Sequence, residues 1–164
     1  MRRKSRFAVF VAVMCVWIVF SLWALGQALD DLNEDDFDIA LSCRACSSLE
    51  VVRVIDGDTF VGPKDIRVRL YGVNTPERGE RCFNEAAERL RELAGDEVRV
   101  EQGPRRSDTF GRSLYYAYTN SGESIDARLV REGFGHAWTQ DGQHRDVIAG
   151  LENEARADGT GCLW

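Results

Sequence analysis

The stretch RVIDGDTFVGPKDIRVRLYGVNTPE at residues 53–77 decides the fold of this chain. A β-branched run of valine and isoleucine meets Asp56-Gly57, a dipeptide typical of a tight hairpin in which both turn positions have positive φ. A short returning strand over residues 58–61 and a second turn follow. Apolar and polar side chains then alternate over residues 66–71, as in a half-buried strand, before a proline ends the ladder. The stretch therefore predicts a three-stranded meander.

Polar side chains that suit one chemical site lie in this meander. Asp58, Asn74 and Glu77 supply carboxylate and amide oxygens, which are the ligands that hard cations prefer. Arg69 supplies a guanidinium, which binds phosphate oxygens in pairs. The pattern indicates a joint cation and phosphate site, and the alternative is a polar strand edge whose charges are only solvated.

The same string resembles the staphylococcal-nuclease-like (thermonuclease) family, whose signature is an IDGDT turn followed by an R-L-x-G-[IV]-[DN]-T-P-E segment. The resemblance continues at residues 108–112 (DTFGR, the family's D-x-[YF]-G-R element), 129–133 and 161–164. It covers residues 48–164. It implies a nuclease that hydrolyses phosphodiester bonds of DNA and RNA with little sequence specificity and uses Ca²⁺ as its cofactor.

The resemblance also implies a set of metal ligands. Asp58 would bind the ion through its carboxylate, Asn74 through its side-chain oxygen and Thr75 through its backbone carbonyl. The best-known member of the family has a second aspartate at the position of Asn74. Loss of that charge should weaken calcium binding, although extracellular calcium modules work with dissociation constants of about 10⁻⁴–10⁻³ M.

The catalytic roles implied by the resemblance belong to Arg69, Glu77 and Arg112. Glu77 would hold the attacking water as general base, and the two arginines would clamp the scissile phosphate. The best-known member has a lysine and a tyrosine where this chain has Thr109 and Phe110. A phosphate-binding amine and a hydroxyl are therefore missing.

Three further side chains bear on substrate binding. Arg105 and Arg106 either replace the missing amine or belong to a solvated loop. Trp138 lies near the position where the family has stacking tyrosines, and it either stacks on a base or packs in the core.

The residues before the domain predict export. Basic residues precede an uncharged run at residues 7–25, which as a helix spans roughly 28 Å, close to the hydrocarbon core of a bilayer. This charge pattern orients the N-terminus toward the cytoplasm. Residues 1–26 are therefore either a signal anchor or a cleaved signal peptide, and the acidic residues 27–47 are a solvated linker. The domain is expected outside the cytoplasm, anchored to the membrane or secreted.

The charge balance limits how nucleic acid can bind. The chain has a net charge of −6, and residues 48–164 also carry more acidic than basic side chains. A protein that holds DNA by backbone electrostatics is usually basic. The composition favours a hydrolase that makes brief, local contacts through arginines and a bound cation over a stable coat protein. No protein partner is inferred, and a monomer is expected.

The chain has five cysteines, and export would place most of them in an oxidising compartment. Cys15 lies in the apolar run, and the other four are expected to be oxidised, with three possible connectivities. The C-x-x-C spacing of Cys43 and Cys46 favours a local bridge over a redox motif, because no thioredoxin-like pattern surrounds it. Cys82 and Cys162 then pair by elimination, and a zinc site is the remaining alternative.

Periodicity downstream of the meander completes the fold class. An apolar stripe predicts a helix that begins at Asn84 as N-cap and ends at Gly95. A further helix, with Val147 facing inward, is predicted near the C-terminus. The other predicted elements are strands at 97–101 and 114–118, a loop at 103–107, and helices at 126–132 and 145–158. Five short strands and about three helices in this order suit an α+β, β-rich fold, the five-stranded OB-fold barrel.

Two functions from different classes remain. The first is the calcium-dependent nuclease. The second is a non-catalytic module of the same fold that binds nucleic acid or protein outside the cytoplasm. The presence of Arg69, Glu77 and Arg112 favours the enzyme, and the departures at the metal ligand and at the phosphate-binding pair favour the binding module.

Overall fold

The computed structural model describes residues 41–43 and 45–164. In this part of the chain, a curled β half-barrel is combined with three helices, so the expected α+β class is confirmed. No helix of the described residues is long and apolar enough to cross a membrane. The apolar run at residues 7–25 and most of the acidic segment lie outside the described residues, so the anchor and the linker stay predictions.

Eight strands form two sheets in the described part of the chain. Their bounds are β1 (Ser47–Glu50), β2 (Arg53–Val54), β3 (Thr59–Val61), β4 (Arg67–Leu70), β5 (Val73–Asn74), β6 (Glu97–Ser107), β7 (Ser113–Tyr118) and β8 (His136–Ala137). β5 pairs with β8, and the other six form the main sheet in the order β1-β6-β7-β4-β3-β2. Neighbouring strands are antiparallel except β4 and β7, which are parallel.

The main sheet curls because one short segment supplies both of its ends. β1 and β2 follow each other in the chain but lie at opposite ends of the strand order. Between them, the Val51 N–H donates to the Asp96 carbonyl (2.9 Å) and the Val52 N–H donates to the Val61 carbonyl (2.8 Å). The chain therefore passes from one edge of the sheet to the other within a few residues.

The predicted meander forms, but its first turn has a different geometry. The Ile55 N–H donates to the Thr59 carbonyl (2.8 Å) and closes the hairpin of β2 and β3. Neither Asp56 nor Gly57 has a positive φ, so the predicted turn type is wrong. Glycine is needed here for space, because a Cβ at position 57 would lie 2.6 Å from the Cβ of Ala86.

The first helix, α1 (Phe83–Ala94), ends at Gly95 as predicted. Asn84, however, lies inside the helix and is not its N-cap. The residue before the helix is Cys82, whose carbonyl accepts from the Ala86 N–H (2.9 Å). The helix therefore begins two residues earlier than the predicted N-cap implies.

The other two helices are α2 (Ile125–Arg131) and α3 (Arg145–Asp158). Ser124 caps α2, since its Oγ accepts from the Ala127 N–H (3.2 Å). α3 has the predicted bounds, but Val147 is exposed, and the expectation that it faces inward is wrong. The buried stripe of α3 runs through Ile148 and Leu151, which leaves the preceding residue at the edge of that face.

Strand β6 is longer than predicted, because residues 103–107 belong to it and do not form a loop. Its register against β7 shifts between Gln102 and Ser107. At the shift, the Gln102 side-chain amide donates to the Leu114 carbonyl of β7 (3.0 Å). Residues of turn-forming type therefore lie within a strand, and a side-chain hydrogen bond links that strand to β7 at the register shift.

Two disulfides are present among the described residues. One joins Cys82, before α1, to Cys162 near the C-terminus, and the other joins Cys43 to Cys46. All four cysteines are engaged in these bridges, so the zinc alternative is not supported. The first bridge links residues 80 positions apart in the chain.

Candidate active site

A buried carboxylate, that of Asp58, lies at the centre of the candidate site. Its Oδ1 accepts from the Thr59 hydroxyl (3.0 Å) and forms an ion pair with Nε of Arg69 (3.0 Å). Its Oδ2 accepts from the backbone N–H (2.9 Å) and the hydroxyl (3.1 Å) of Thr75. These contacts join the turn before β3 to β4 and to the segment after β5, so the meander brings its polar residues together.

The guanidinium of Arg69 is held on every side. Its Nη1 donates to the carbonyls of Leu70 and Val73, the second at 2.5 Å, and its Nη2 donates to Oδ1 of Asn74 (2.9 Å). The side chain is 9% exposed, and that of its ion-pair partner Asp58 is 8% exposed. Arg69 therefore presents a fixed positive charge, and most of its donors are used by the protein.

Arg112 approaches the same carboxylate through one intervening hydroxyl. Its Nη1 donates to Oγ1 of Thr59 (3.3 Å), the hydroxyl that donates to Asp58. Its Nε donates to Oδ2 of Asp108 (2.6 Å). Partial burial opposes the effect, but hydrogen bonds from the Arg112 backbone and guanidinium hold the pKa of Asp108 below its usual value. Asp108 is therefore an ionised anchor for this arginine.

Both arginines line one cleft with a volume of about 580 Å³. Asn74 lines the cleft with them, and Thr109 and Phe110 contribute from the 108–112 loop. Asp58 and Thr75 are buried and are not among its lining residues. The cleft therefore has a wall that carries two guanidinium groups, and a buried carboxylate supports it from behind.

Glu77 has a different environment from the other predicted site residues. Its side chain is exposed, and it is not among the residues that line the cleft. Its backbone N–H donates to Oε2 of Glu80 (2.7 Å), and its carbonyl accepts from the Glu80 N–H (2.9 Å). The segment that carries Glu77 is thus fixed by a local turn, while its carboxylate is open to solvent.

A second wall of the cleft contains a polar cluster around Asp141. Arg105 binds Asp141 with two donors, Nε at 2.5 Å and Nη2 at 3.0 Å. The same carboxylate accepts from Trp138 Nε1 (2.8 Å) and from the Tyr71 hydroxyl (3.0 Å). The Arg105 hydrogen bonds lower the pKa of Asp141 to about 2. Arg105 therefore belongs to the cleft, whereas Arg106 is exposed and does not line it.

Trp138 lines the cleft and is partly buried, so it is neither fully packed in the core nor fully exposed for stacking on a base. The guanidinium carbon of Arg105 lies 6.0 Å from its ring centroid and 5.4 Å from that of Tyr71. These contacts are typical of cation–π pairs. They use part of the aromatic surface that Trp138 presents to the cleft.

Sequence reasoning missed Asp56, which is next to the predicted metal ligand Asp58. Oδ1 of Asp56 accepts from the Asp58 N–H (3.2 Å). Burial, and then the neighbouring Asp58 carboxylate, raise the pKa of Asp56. Repulsion between two carboxylates is relieved by a bound cation. The IDGDT string contains both aspartates, so the signal was available in the sequence.

A hard cation fits the donor chemistry of this corner only with mixed ligands. Among residues 41–43 and 45–164, no group of three or more His, Cys, Asp or Glu side chains could hold a metal ion. Calcium takes six to eight oxygen ligands, including amide and backbone carbonyl oxygens and water. Asp58 and the amide oxygen of Asn74 are oxygen ligands of this kind, and both contact the guanidinium of Arg69.

Asp126 is a second residue that sequence reasoning missed. It is fully buried in α2, where Oδ1 accepts from the Gly72 N–H (2.7 Å) and Oδ2 from the Ala117 N–H (2.9 Å). Burial raises its pKa to about 6. This carboxylate ties the connection between β4 and β5, which lies between Arg69 and Asn74, to strand β7.

The chain is similar to one family model and to several proteins that are named as nucleases. The family model described as staphylococcal nuclease homologue matches residues 67–164. A micrococcal nuclease of Shigella flexneri is 35% identical over 128 residues, which cover 70% of this chain and 72% of the relative. A thermonuclease of Staphylococcus intermedius is 33% identical over 118 residues, 65% of this chain and 70% of the relative. An uncharacterized endonuclease of Escherichia coli is 34% identical over 119 residues, 70% of this chain and 74% of the relative.

Proposed function

Because the chain belongs to the staphylococcal nuclease family, we propose that it is a calcium-dependent nuclease that hydrolyses phosphodiester bonds of DNA and RNA with little sequence specificity. One observation carries this proposal: the two cleft arginines, Arg69 and Arg112, are joined by an unbroken path of polar contacts through the buried Asp58 and Thr59. Two guanidinium groups and a buried carboxylate are thereby held in one place. The nuclease names of the relatives support the same reaction class.

The fold supports this proposal at a finer level. When β1 and β2 are counted as one bent strand, the main sheet has five strands that follow one another around a curl. We propose that this sheet is the OB-fold barrel, with the parallel pair β4 and β7 at its centre. Nucleic acid commonly binds on one face of such barrels.

The two arginines have different tasks in the proposed reaction. Arg69 uses its donors on Asp58, Asn74 and two backbone carbonyls, so it stabilises developing negative charge mainly through its fixed position. Arg112 has two described contacts through its guanidinium, to Asp108 and Thr59, of five possible donors. Arg112 is therefore the arginine that can bind phosphate oxygens directly.

Asp58, Asn74 and the Thr75 carbonyl would hold the calcium ion, and Asp56 would add negative charge beside them. When bound, calcium supplies charge neutralisation at the phosphate and lowers the pKa of a water molecule. Arg69 offsets the charge of Asp58 and donates to the ligand oxygen of Asn74, so it competes with a cation for both ligands. Calcium affinity should be weak, in the range of extracellular modules, about 10⁻⁴–10⁻³ M.

Glu77 is proposed as the general base. Its segment is fixed by the turn with Glu80 while its carboxylate stays open to solvent, where water is available. A positioned general base typically contributes about 10²–10⁴-fold in rate.

The site of action is proposed to lie outside the cytoplasm. The two disulfides support an oxidising compartment. The apolar run at residues 7–25 would anchor the domain or be removed as a signal peptide. Protease added to intact cells or spheroplasts should digest the domain if it is displayed outside, and full protection would contradict this location.

A non-catalytic binding module is the second candidate, and one observation favours it. Asn74 brings no charge, and its oxygen already accepts from Arg69, so the metal ligand set is weaker than two carboxylates. Under this reading the cleft holds nucleic acid or protein without cleaving it.

Cleavage of single-stranded DNA by the purified full-length chain separates the two candidates. The nuclease should cleave in millimolar calcium and stop when the calcium is chelated. Glu77→Gln should cut the rate about 10²–10⁴-fold, and Arg112→Ala about 10²–10³-fold. Arg106→Ala is the matched control, because Arg106 is an exposed arginine outside the cleft and its loss should change the rate little.

Asn74→Asp tests the metal site within the same experiment. The added charge should lower the calcium concentration needed for half-maximal cleavage. If the natural chain cleaves nothing and Asn74→Asp restores cleavage, the natural protein is a binder. If Glu77→Gln cleaves as fast as the natural chain, the assigned base is wrong.

A further inference from the structure

Resting on the proposed nuclease function, we propose that Phe110 stacks on an unpaired nucleobase of the substrate and so directs the cleft toward single strands. Phe110 is 83% exposed and lines the cleft beside both arginines. The other exposed large hydrophobic side chains in the described residues are Val52, Ile66 and Val147, and none of them lines the cleft.

The backbone that carries the exposed Phe110 ring is held in position. Oδ1 of Asp108 accepts from the backbone N–H groups of Phe110 and Arg112, both at 2.9 Å. The Asp108 N–H donates to the Arg112 carbonyl (3.1 Å), and Gly111, with φ +76°, donates back to the Asp108 carbonyl (3.2 Å). The loop is therefore closed by its own hydrogen bonds, and its backbone needs little further ordering when a ligand binds.

The ring is also coupled to a phosphate-binding group. The guanidinium carbon of Arg112 lies 5.6 Å from the centroid of the Phe110 ring. A nucleotide presents a phosphate and an aromatic base within one residue of its strand. An aromatic face beside a cation in a groove is the arrangement that binds single-stranded nucleic acid.

The chemistry of phenylalanine restricts what it can recognise. A phenyl ring has no hydrogen-bonding atom, so it cannot read the edge of a base, but every base has a face on which it can stack. In a duplex, those faces are covered by neighbouring bases, and unstacking costs free energy. Phe110 should therefore add affinity for unpaired nucleotides without adding sequence preference.

The other aromatic side chains of the cleft are less available. Trp138 is partly buried, and its Nε1 donates to Asp141. Tyr71 is buried and donates to the same carboxylate. Of the three aromatic side chains that line the cleft in the described residues, Phe110 is the exposed one.

Binding of a phosphorothioate-linked oligonucleotide that contains 2-aminopurine tests this proposal without cleavage. The full-length chain is titrated in calcium against the oligonucleotide as a single strand and as a duplex. Phe110→Ala should weaken single-strand binding roughly 5- to 150-fold, with a much smaller change for the duplex. Phe110→Trp should preserve the affinity and the quenching of 2-aminopurine by the ring.

Two control variants separate stacking from other effects. Phe110→Leu keeps an apolar side chain without a π face, and it should lose affinity nearly as Phe110→Ala does. Ile66→Ala removes another exposed apolar side chain away from the cleft and should leave binding unchanged. Thermal melting of each variant checks that the fold is intact, as expected for a side chain that is mostly solvated.

The proposal is overturned if Phe110→Leu binds the single strand like the natural chain, or if Phe110→Ala weakens both forms equally. It is also overturned if the natural chain binds neither form. If the single-strand preference depends on Phe110 but the natural chain never cleaves, the nuclease function fails and the stacking role stands. If the chain cleaves and the Phe110 variants bind the single strand like the natural chain, the nuclease function stands and the stacking role fails.

Discussion

Replacing Arg69 with alanine should cost stability before it reveals anything about catalysis. The Arg69–Asp58 ion pair has both side chains less than one-tenth exposed and an Nε–Oδ1 distance of 3.0 Å. Alanine would leave the Asp58 carboxylate buried without its counter-charge. It would also remove the donor to the Leu70 and Val73 carbonyls.

The expected loss is about 3–5 kcal/mol in the free energy of unfolding, which is typical when one partner of a buried ion pair is removed. A domain of this size has a total stability of roughly 6–18 kcal/mol. The melting temperature should therefore fall by about 10–20 °C. Arg112→Ala should cost about 1 kcal/mol or less, because its pair with Asp108 is more exposed.

Urea unfolding in the presence of a calcium chelator measures these differences. The double variant Asp58→Asn/Arg69→Ala should recover much of the loss, since a neutral amide is cheaper to bury than an unpaired carboxylate. The reasoning is refuted if Arg69→Ala lies within about 1 kcal/mol of the natural chain. It is also refuted if the double variant is no more stable than the single one. Loss of cleavage in Arg69→Ala must accordingly be measured below its own unfolding transition.

Three further predictions concern stability. Breaking the Cys82–Cys162 bridge with Cys162→Ala should cost about 4 kcal/mol in the free energy of unfolding, because the bridge closes a loop of 80 residues. Non-reducing peptide mapping of the natural chain should recover the linked pair. A loss under about 1 kcal/mol by urea unfolding would contradict this prediction. Burial raises the pKa of Asp126 to about 6, above its ordinary 3.8, so the folded state keeps a proton that the unfolded chain has released. Its contribution to the free energy of unfolding should therefore fall by up to about 3 kcal/mol as the pH rises from about 4 to 6; the difference between the natural chain and Asp126→Asn, followed by urea unfolding across that range, isolates it and should not stay flat. Gly57→Ala should destabilise by about 1–3 kcal/mol, because the new methyl would lie 2.6 Å from a side-chain carbon, whereas Gly150→Ala, with open space in α3, should be neutral or stabilising by the same measurement.

Local sequence patterns were sufficient for most elements. The bounds of α3 and the end of α1 at Gly95 follow from an apolar stripe and a C-terminal glycine. The β2–β3 hairpin follows from a β-branched run and a turn dipeptide. Such signals involve neighbours within a few residues, and they act before the rest of the chain has packed.

The misplaced elements are those in which distant groups decide. Residues 103–107 have turn-forming side chains, but they continue β6 across a register shift at which Gln102 donates to the Leu114 carbonyl. The turn dipeptide suggests that Gly57 is needed for its φ, but the structure needs it for space, because α1 packs against the turn. Neither contact is visible in a window of sequence.

The sequence by itself determined the α+β class, the meander and, through a family signature, the identity of the candidate site residues. Only the tertiary structure decided that Asp58 and Arg69 are buried as a pair, and that Arg112 reaches them through Thr59. Thr59 and Arg112 lie 53 positions apart in the chain. The tertiary structure alone also revealed Asp126 as a support beneath the site. The physical reason is that burial and hydrogen-bond partners depend on which segments meet in space, whereas turn and helix propensities depend on adjacent residues.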